Sequence, residues 1–298
     1  MKTINRSALI LLGIVSFLIS CEKDITIKQL PYTDKVSIEC LLTPGATPVL
    51  YLYRTVPFFD PKITKRSLFI DQASVMIKSE HGTDILTPDS AIDPFYCDYK
   101  YFYHGGKIIE ANVRYDLEVT INGEVFKAST TTDNQVVQLD SVHYVSNFKD
   151  IYGEHEGVVC NFKDDPNRVN FYRYEMTRMI DSTTYGVNKI KSPCLGNEKV
   201  MVREIGRSIY SDQHMNGVPM VFTVEPAFKH KAGDACYVYL QICDKNMFDY
   251  YDQLDKQKLA QMNPFVEPVF LRPTQFINAF GVFGSFVRSD SVLFIYPE

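Results

Sequence analysis

No tryptophan occurs among the 298 residues, so every large aromatic contact falls to 19 tyrosines and 20 phenylalanines. None of the seven cysteines sits in a CxxC pair, which removes the close-spaced zinc and dithiol redox sites. The six histidines, at 81, 104, 143, 155, 214 and 230, form no HExxH pair, and no serine lies in a GxSxG elbow. No basic stripe is present. Asp and Glu outnumber Lys and Arg by 36 to 31 for a formal charge of −5, which excludes the phosphate-neutralising surface that nucleic acids require. These absences give no sequence support for catalysis, a cofactor or a metal. Paired carboxylates are numerous, but their spacing across space is hidden in a sequence.

The first twenty residues have the pattern of a secretory signal peptide. Lys2 and Arg6 precede an uncharged apolar run of twelve residues, Ala8 to Ile19. A bilayer span needs about 20, so this run reads as a removable export segment. Leu18-Ile19-Ser20-Cys21 resembles the bacterial lipobox, in which the cysteine thiol receives diacylglycerol and the peptide is cut before it. Cys21 is thus the expected lipid anchor, and two or three acyl chains hold a protein firmly where one does not. Removal of Lys2 and Arg6 takes the formal charge from −5 to −7. Glu22 and Asp24, with Lys23 between them, partly resemble the acidic surface-export signal of Bacteroidetes lipoproteins, which implies an outer-membrane location, lipid-anchored and exposed at the cell surface. Six cysteines remain; their pairing is left open, and Cys40, Cys160 and Cys236 suit buried free thiols in apolar strands.

Beyond residue 34 the chain alternates like a β protein. In "KVSIECLL" Val36, Ile38, Cys40 and Leu42 share one face, and "TPGATP" leads to "VLYLYRTV" as a hairpin. Tyr115, Leu117, Val119 and Ile121 share a face before Asn122-Gly123, which suits a type I′ turn. A polar stretch near 132 marks a boundary, after which "SVHYVSNF", "GVVCNF", "NFYRYEMTRMI" and "CYVYLQIC" read as strands. Residues 181–219 read as an elaborated loop. One helix is expected near 245–262, capped by Asp244, with Phe248, Tyr251, Leu254, Leu259 and Met262 on its apolar side. The expected fold is mainly β with two domains. After a signal peptide (1–20) and a linker (21–34) come an immunoglobulin-like or carboxypeptidase-regulatory-like β-sandwich (35–132) and an antiparallel β domain with one covering helix (133–298).

Candidate contact residues are aromatic. In "DPFYCDYKYFYHGG" an extended chain sends Tyr99, Tyr101 and Tyr103 one way and Tyr96 the other, so tyrosines could stack on a sugar or peptide or meet a partner protein. Phe58 and Phe59 in "PFFDP" form a similar patch. His155 in "GEHEG" reads as a solvated turn rather than a metal site, and "DDPN" at 164–167 as a hairpin turn rather than a calcium loop. Asp-Ser tripeptides at 89–91, 140–142, 181–183 and 290–292 resemble an O-glycan acceptor motif and also suit turns.

The run "NPFVEPVFLRPTQFINAFGVFGSF", with "CEKDI" and "SIECLLTPGATPVLYLYRTVPFFDP" near the start, resembles the domain-of-unknown-function 4249 family of Bacteroidetes outer-membrane lipoproteins. Asn278-Ala279-Phe280 stands where that family has Asn-Gly-Leu. Members often accompany TonB-dependent outer-membrane receptors and their substrate-binding lipoproteins. The resemblance therefore implies an accessory role at such a receptor, of starch-utilisation type, in nutrient capture or uptake. The alternative expectation is a free-standing surface lipoprotein that binds glycan or peptide. Joined to the absence of an enzyme motif, the resemblance makes a non-catalytic chain with no cofactor or metal the expectation, with a hydrolase of unrecognised type as the enzymatic alternative.

Overall fold

Alternation becomes architecture at the first strand, where Ile38, Cys40 and Leu42 are buried and the residues between them are not. The computed structural model describes residues 33–56, 64–93, 97–150, 153–181, 199–226, 230–262, 267 and 269–298. In chain order the strands are β1 (Val36–Leu42), β2 (Val49–Arg54), β3 (Ser74–Ser79), β4 (Gly82–Asp93), β5 (Asp98–His104), β6 (Arg114–Ile121) and β7 (Glu124–Thr131). There follow β8 (Leu139–Asp150), β9 (Gly153–Lys163), β10 (Phe171–Asp181), β11 (Lys199–Ser211), β12 (Pro219–Val224), β13 (Ala235–Cys243), β14 (Ala279–Arg288) and β15 (Val292–Ile295). Two helices are described, the single-turn α1 (Lys65–Leu68) and the long α2 (Lys245–Met262).

Twelve strands form one sheet in the order β11-β10-β13-β14-β1-β2-β5-β4-β3-β6-β7, with β15 beside β13, and β12-β9-β8 form a second. The first cluster of buried residues draws Ile38, Leu50 and Leu52 from β1 and β2 against Val75, Leu117, Val119 and Phe126 from β3, β6 and β7. Strand β4 serves both sets: Gly82–Leu86 pair with β3 and Thr87–Asp93 with β5. The β6–β7 hairpin turns on Asn122 (φ 50°) and Gly123 (φ 88°), as the sequence requires for a two-residue I′ loop. A second cluster seats Val158, Cys160, Phe162 and Phe222 of the small sheet on Tyr174, Met176, Val238 and Leu240 of the large one. Helix α2 covers a third, around Cys243, Val282 and Phe286. Asp244 caps it, accepting from Met247 N at 2.8 Å. Met247 is its most buried residue, while Leu259, expected inside, is 42% exposed.

Residues Asp34–Glu298 cluster as one compact unit, so the division into two domains drawn at 132 is not confirmed. The reason is β14, whose residues Ala279–Ser285 run parallel to β1 and whose Phe286–Arg288 pair with β13, so one strand belongs to both halves. That parallel pair also departs from an all-antiparallel plan. At Gly281 (φ 128°) a Cβ would lie 1.7 Å from the carbonyl oxygen of Ile38, so only glycine lets the two backbones meet. Part of the expected 181–219 loop is the thirteen-residue strand β11, whose alternation was masked because one of its inward positions is Glu204. Cys40, Cys160, Cys236 and Cys243 are free and buried, with burial pushing their thiols up, and Cys97 is disulfide-bonded.

Candidate functional site

Strand β5 pairs with β4 along its length but with β2 only at Val49↔His104 and Leu50↔Tyr103. Past that point β2 and β5 diverge, and the segment from α1 to Ile70 fills the gap. Thr64 and Ser67 form a reciprocal capping box at the start of α1. Phe69 bridges to Tyr53, and Ile70 N donates to the Leu52 carbonyl at 3.1 Å. The Phe69 ring lies 5.6 Å from both Tyr101 and Tyr103 and 5.8 Å from Tyr53. Tyr53 Oη donates to the Tyr101 carbonyl at 2.6 Å, while burial pushes its phenol up. Arg66, held by Asp71 at 2.7 Å, sets its guanidinium 5.3 Å from the Tyr101 ring. At the outer end Tyr99 is 50% exposed, with its ring 6.3 Å from Tyr101.

This geometry divides the expected contact residues. Tyr103 is a correction: it is fully buried, its Oη donating to the Ile70 carbonyl at 2.8 Å and accepting from Ala73 N at 3.0 Å. It anchors the gap-filling segment and cannot face a ligand. Tyr101 is half-buried against the first cluster, which leaves Tyr99 as the accessible ring, with Arg66 beside Tyr101. Tyr96, Phe58, Phe59 and Cys21 lie outside the described residues. Asp98 pairs with Lys65 at 2.6 Å, which lowers the carboxyl and raises the amine. Both groups are about half exposed, so the pair positions α1 more than it stabilises it.

An open cleft of about 570 Å³ on the outer side of β6 and β7 lies apart from the tyrosines. Lys78 and Lys127 both approach Glu118 at 3.3 Å and hold its carboxyl below the usual range. Asn246 and Gln275 line the cleft but already donate to the Ser129 and Phe283 carbonyls. Its walls are charged with both signs and present no converging reactive pair.

His155 lies in strand β9 rather than a turn, 3.5 Å from Glu225. Among the described residues no group of three or more His, Cys, Asp or Glu side chains is placed to hold a metal ion. "DDPN" does turn between β9 and β10, but Asp164 leaves it for the interior. There Asn170 donates to both Asp164 and Asp212, Tyr172 Oη donates to Asp164, and Gly217 N reaches Asp164 at 2.7 Å. Burial and the neighbouring Asp164 carboxyl raise Asp212. Of the Asp-Ser tripeptides, Ser90 and Ser141 lie in β4 and β8 instead of turns.

Two polar groupings had no local signature. On one face of the large sheet fully buried Glu175 accepts from Arg203 at 2.8 and 3.0 Å, Gln241 at 2.5 Å and Arg288 at 3.1 Å. On the other face buried Arg178 donates to Glu204 at 2.7 Å. The only sequence trace is a charge at strand positions otherwise filled by apolar residues.

The family model described as Domain of unknown function (DUF4249) matches residues 22–290. The chain belongs to the DUF4249 family. No curated protein matches it. The DUF4249 segment starts at the residue after Cys21 and takes in every element from β1 to β14, including the Tyr99 face and the Glu175 cluster.

Proposed function

We propose that this DUF4249 chain is a non-catalytic Bacteroidetes lipoprotein, tethered through Cys21 to the outer membrane and exposed at the cell surface. It serves as an accessory subunit of a TonB-dependent, starch-utilisation-type receptor and its substrate-binding lipoprotein in nutrient capture or uptake. The observation that carries this reading is Cys21 itself, standing between the apolar run with its Leu18-Ile19-Ser20 exit and a family segment that begins at Glu22. Two acyl chains or more on that thiol and the new amine give a firm tether. Among the described residues no helix is long and apolar enough to cross a membrane, which is compatible with a lipid tether.

Mass spectrometry of the protein extracted from native membranes tests the tether. The expected mature chain starts at an acylated Cys21, and Cys21→Ala leaves the membrane fraction; an unprocessed start, or a membrane-bound Cys21→Ala form, overturns it. Quantitative purification of the tagged protein tests the role, with a stoichiometric β-barrel partner expected. Recovery of the chain alone favours the second reading, a free-standing glycan- or peptide-binding lipoprotein. That reading has its own supporting observation in half-exposed Tyr99. Glycan and peptide arrays separate the two: loss of binding on Tyr99→Ala favours the second reading.

A further inference from the structure

We propose that the face of the large sheet carrying Glu175 is a docking surface for a partner protein whose contact segment sets a carboxylate among apolar side chains. This deepens the accessory-subunit reading and rests on it. The register defines the face. Met179 lies opposite Met201; Thr177 lies between Arg203 and Tyr237, and Tyr237 opposite Leu293; Glu175 lies between Ile205 and Tyr239. The intervening residues Met176, Val238 and Phe294 point the other way, into the second cluster.

Helix α2 covers only the end of this face near Cys243 and Phe286. Beyond it the apolar side chains stand open. Met179 is 44% exposed, Met201 56%, Ile205 39%, Tyr237 45%, Leu293 55% and Ile295 56%. Single exposed apolar residues are ordinary, but a contiguous set across four strands marks a contact surface. Flexible methionines beside a tyrosine are well suited to an interface.

Charge selects the occupant. Arg203 and Arg288, each nearly half exposed, converge on the single carboxylate of Glu175, so the face carries an excess positive charge on a chain whose formal charge is −5. A second copy docked through the same patch about a two-fold axis would bring like charges together. A partner carboxylate instead meets the guanidinium donors that Glu175 does not engage, and a ring of apolar contacts excludes water around it.

The test uses the full lipidated chain in its native envelope, with a photo-crosslinking residue at Leu293 or Met201 and a control at Val125 on β7. The expected result is a crosslink from the first two positions, absent from the third, to one other protein identified by mass spectrometry. The linked peptide contains Asp or Glu flanked by apolar residues. Leu293→Arg with Met201→Arg, checked for an unchanged melting curve, lowers recovery of that protein about tenfold or more, as does Lys in place of its carboxylate. Crosslinks to a second copy, or a linked peptide with no carboxylate, overturn the proposal. Undiminished recovery with the double variant refutes this face while the accessory role stands; no partner with the wild-type chain removes both.

Discussion

On β6 the inward positions are Tyr115, Leu117, Val119 and Ile121, whereas on β10 they are Tyr172, Tyr174, Met176 and Arg178. The period is the same and the chemistry is not. Around β6 the cluster is apolar, and its deepest tyrosine, Tyr103, has its hydroxyl bonded to both Ile70 and Ala73. Around β10 a guanidinium–carboxylate pair is buried, and the hydroxyls of Tyr174 and Tyr296 have no hydrogen-bond partner among the described residues. A buried ion pair returns little net stability over an apolar replacement but makes the loss of either member costly. Both regions are therefore held mainly by apolar burial, but the second also carries a buried ion pair whose members depend on each other, with β14 passing through both.

Four experiments break or sharpen this contrast. Gly281→Ala has the largest expected effect, about 5 kcal/mol or more, because a backbone carbonyl occupies the space the new Cβ needs. Since Gly281 lies where β14 runs beside β1, denaturant titration followed by separate probes in the two regions is expected to lose its single transition. Next comes Arg178→Leu, at about 3–5 kcal/mol, most of which returns in the double variant with Glu204→Leu. Equal losses in the single and double variants would show that the pair is not the stabilising unit.

The tyrosines provide a finer comparison. Tyr103→Phe strands a buried amide and a carbonyl and is expected to cost about 1–3 kcal/mol, whereas Tyr174→Phe removes an unpartnered hydroxyl and is expected to be neutral or stabilising. Thermal melts of both variants check the opposite signs. The smallest effect is a slope. Asp212 is raised in the folded protein, so it binds its proton there at a pH where the unfolded carboxyl has lost it. Its contribution is present below the ordinary carboxylate pKa and is lost as pH rises through the raised value. Asp212→Asn is expected to flatten that part of the stability profile; an unchanged slope would mean that burial does not raise Asp212.

The same contrast explains what could be read from residues alone. β1, the β6–β7 turn and the Asp244 cap were legible because their signals lie within a few residues. Tyr103 was misplaced because alternation pairs residues on a face without saying which face is inside. Asp93 of β4 pairs antiparallel with Asp98 of β5, and Cys97 between them has a φ of 53°, so the patch could not continue as one strand. β11 was hidden by its inward glutamate, whose partner Arg178 lies 26 residues earlier. The single compact unit was hidden by a pairing between the first strand and the fourteenth. Of the candidate site, only Tyr99 could be named and then found exposed; the Glu175 face depends on residues brought together from four strands.

The parallel seam between β1 and β14 also sets an order of assembly. Ile38 and Gly281 lie about 240 residues apart in the chain, so the opening strand closes its inner edge only when almost the whole polypeptide is at hand. Until then that edge is an exposed template for the wrong strand, and truncation before residue 279 leaves it open permanently.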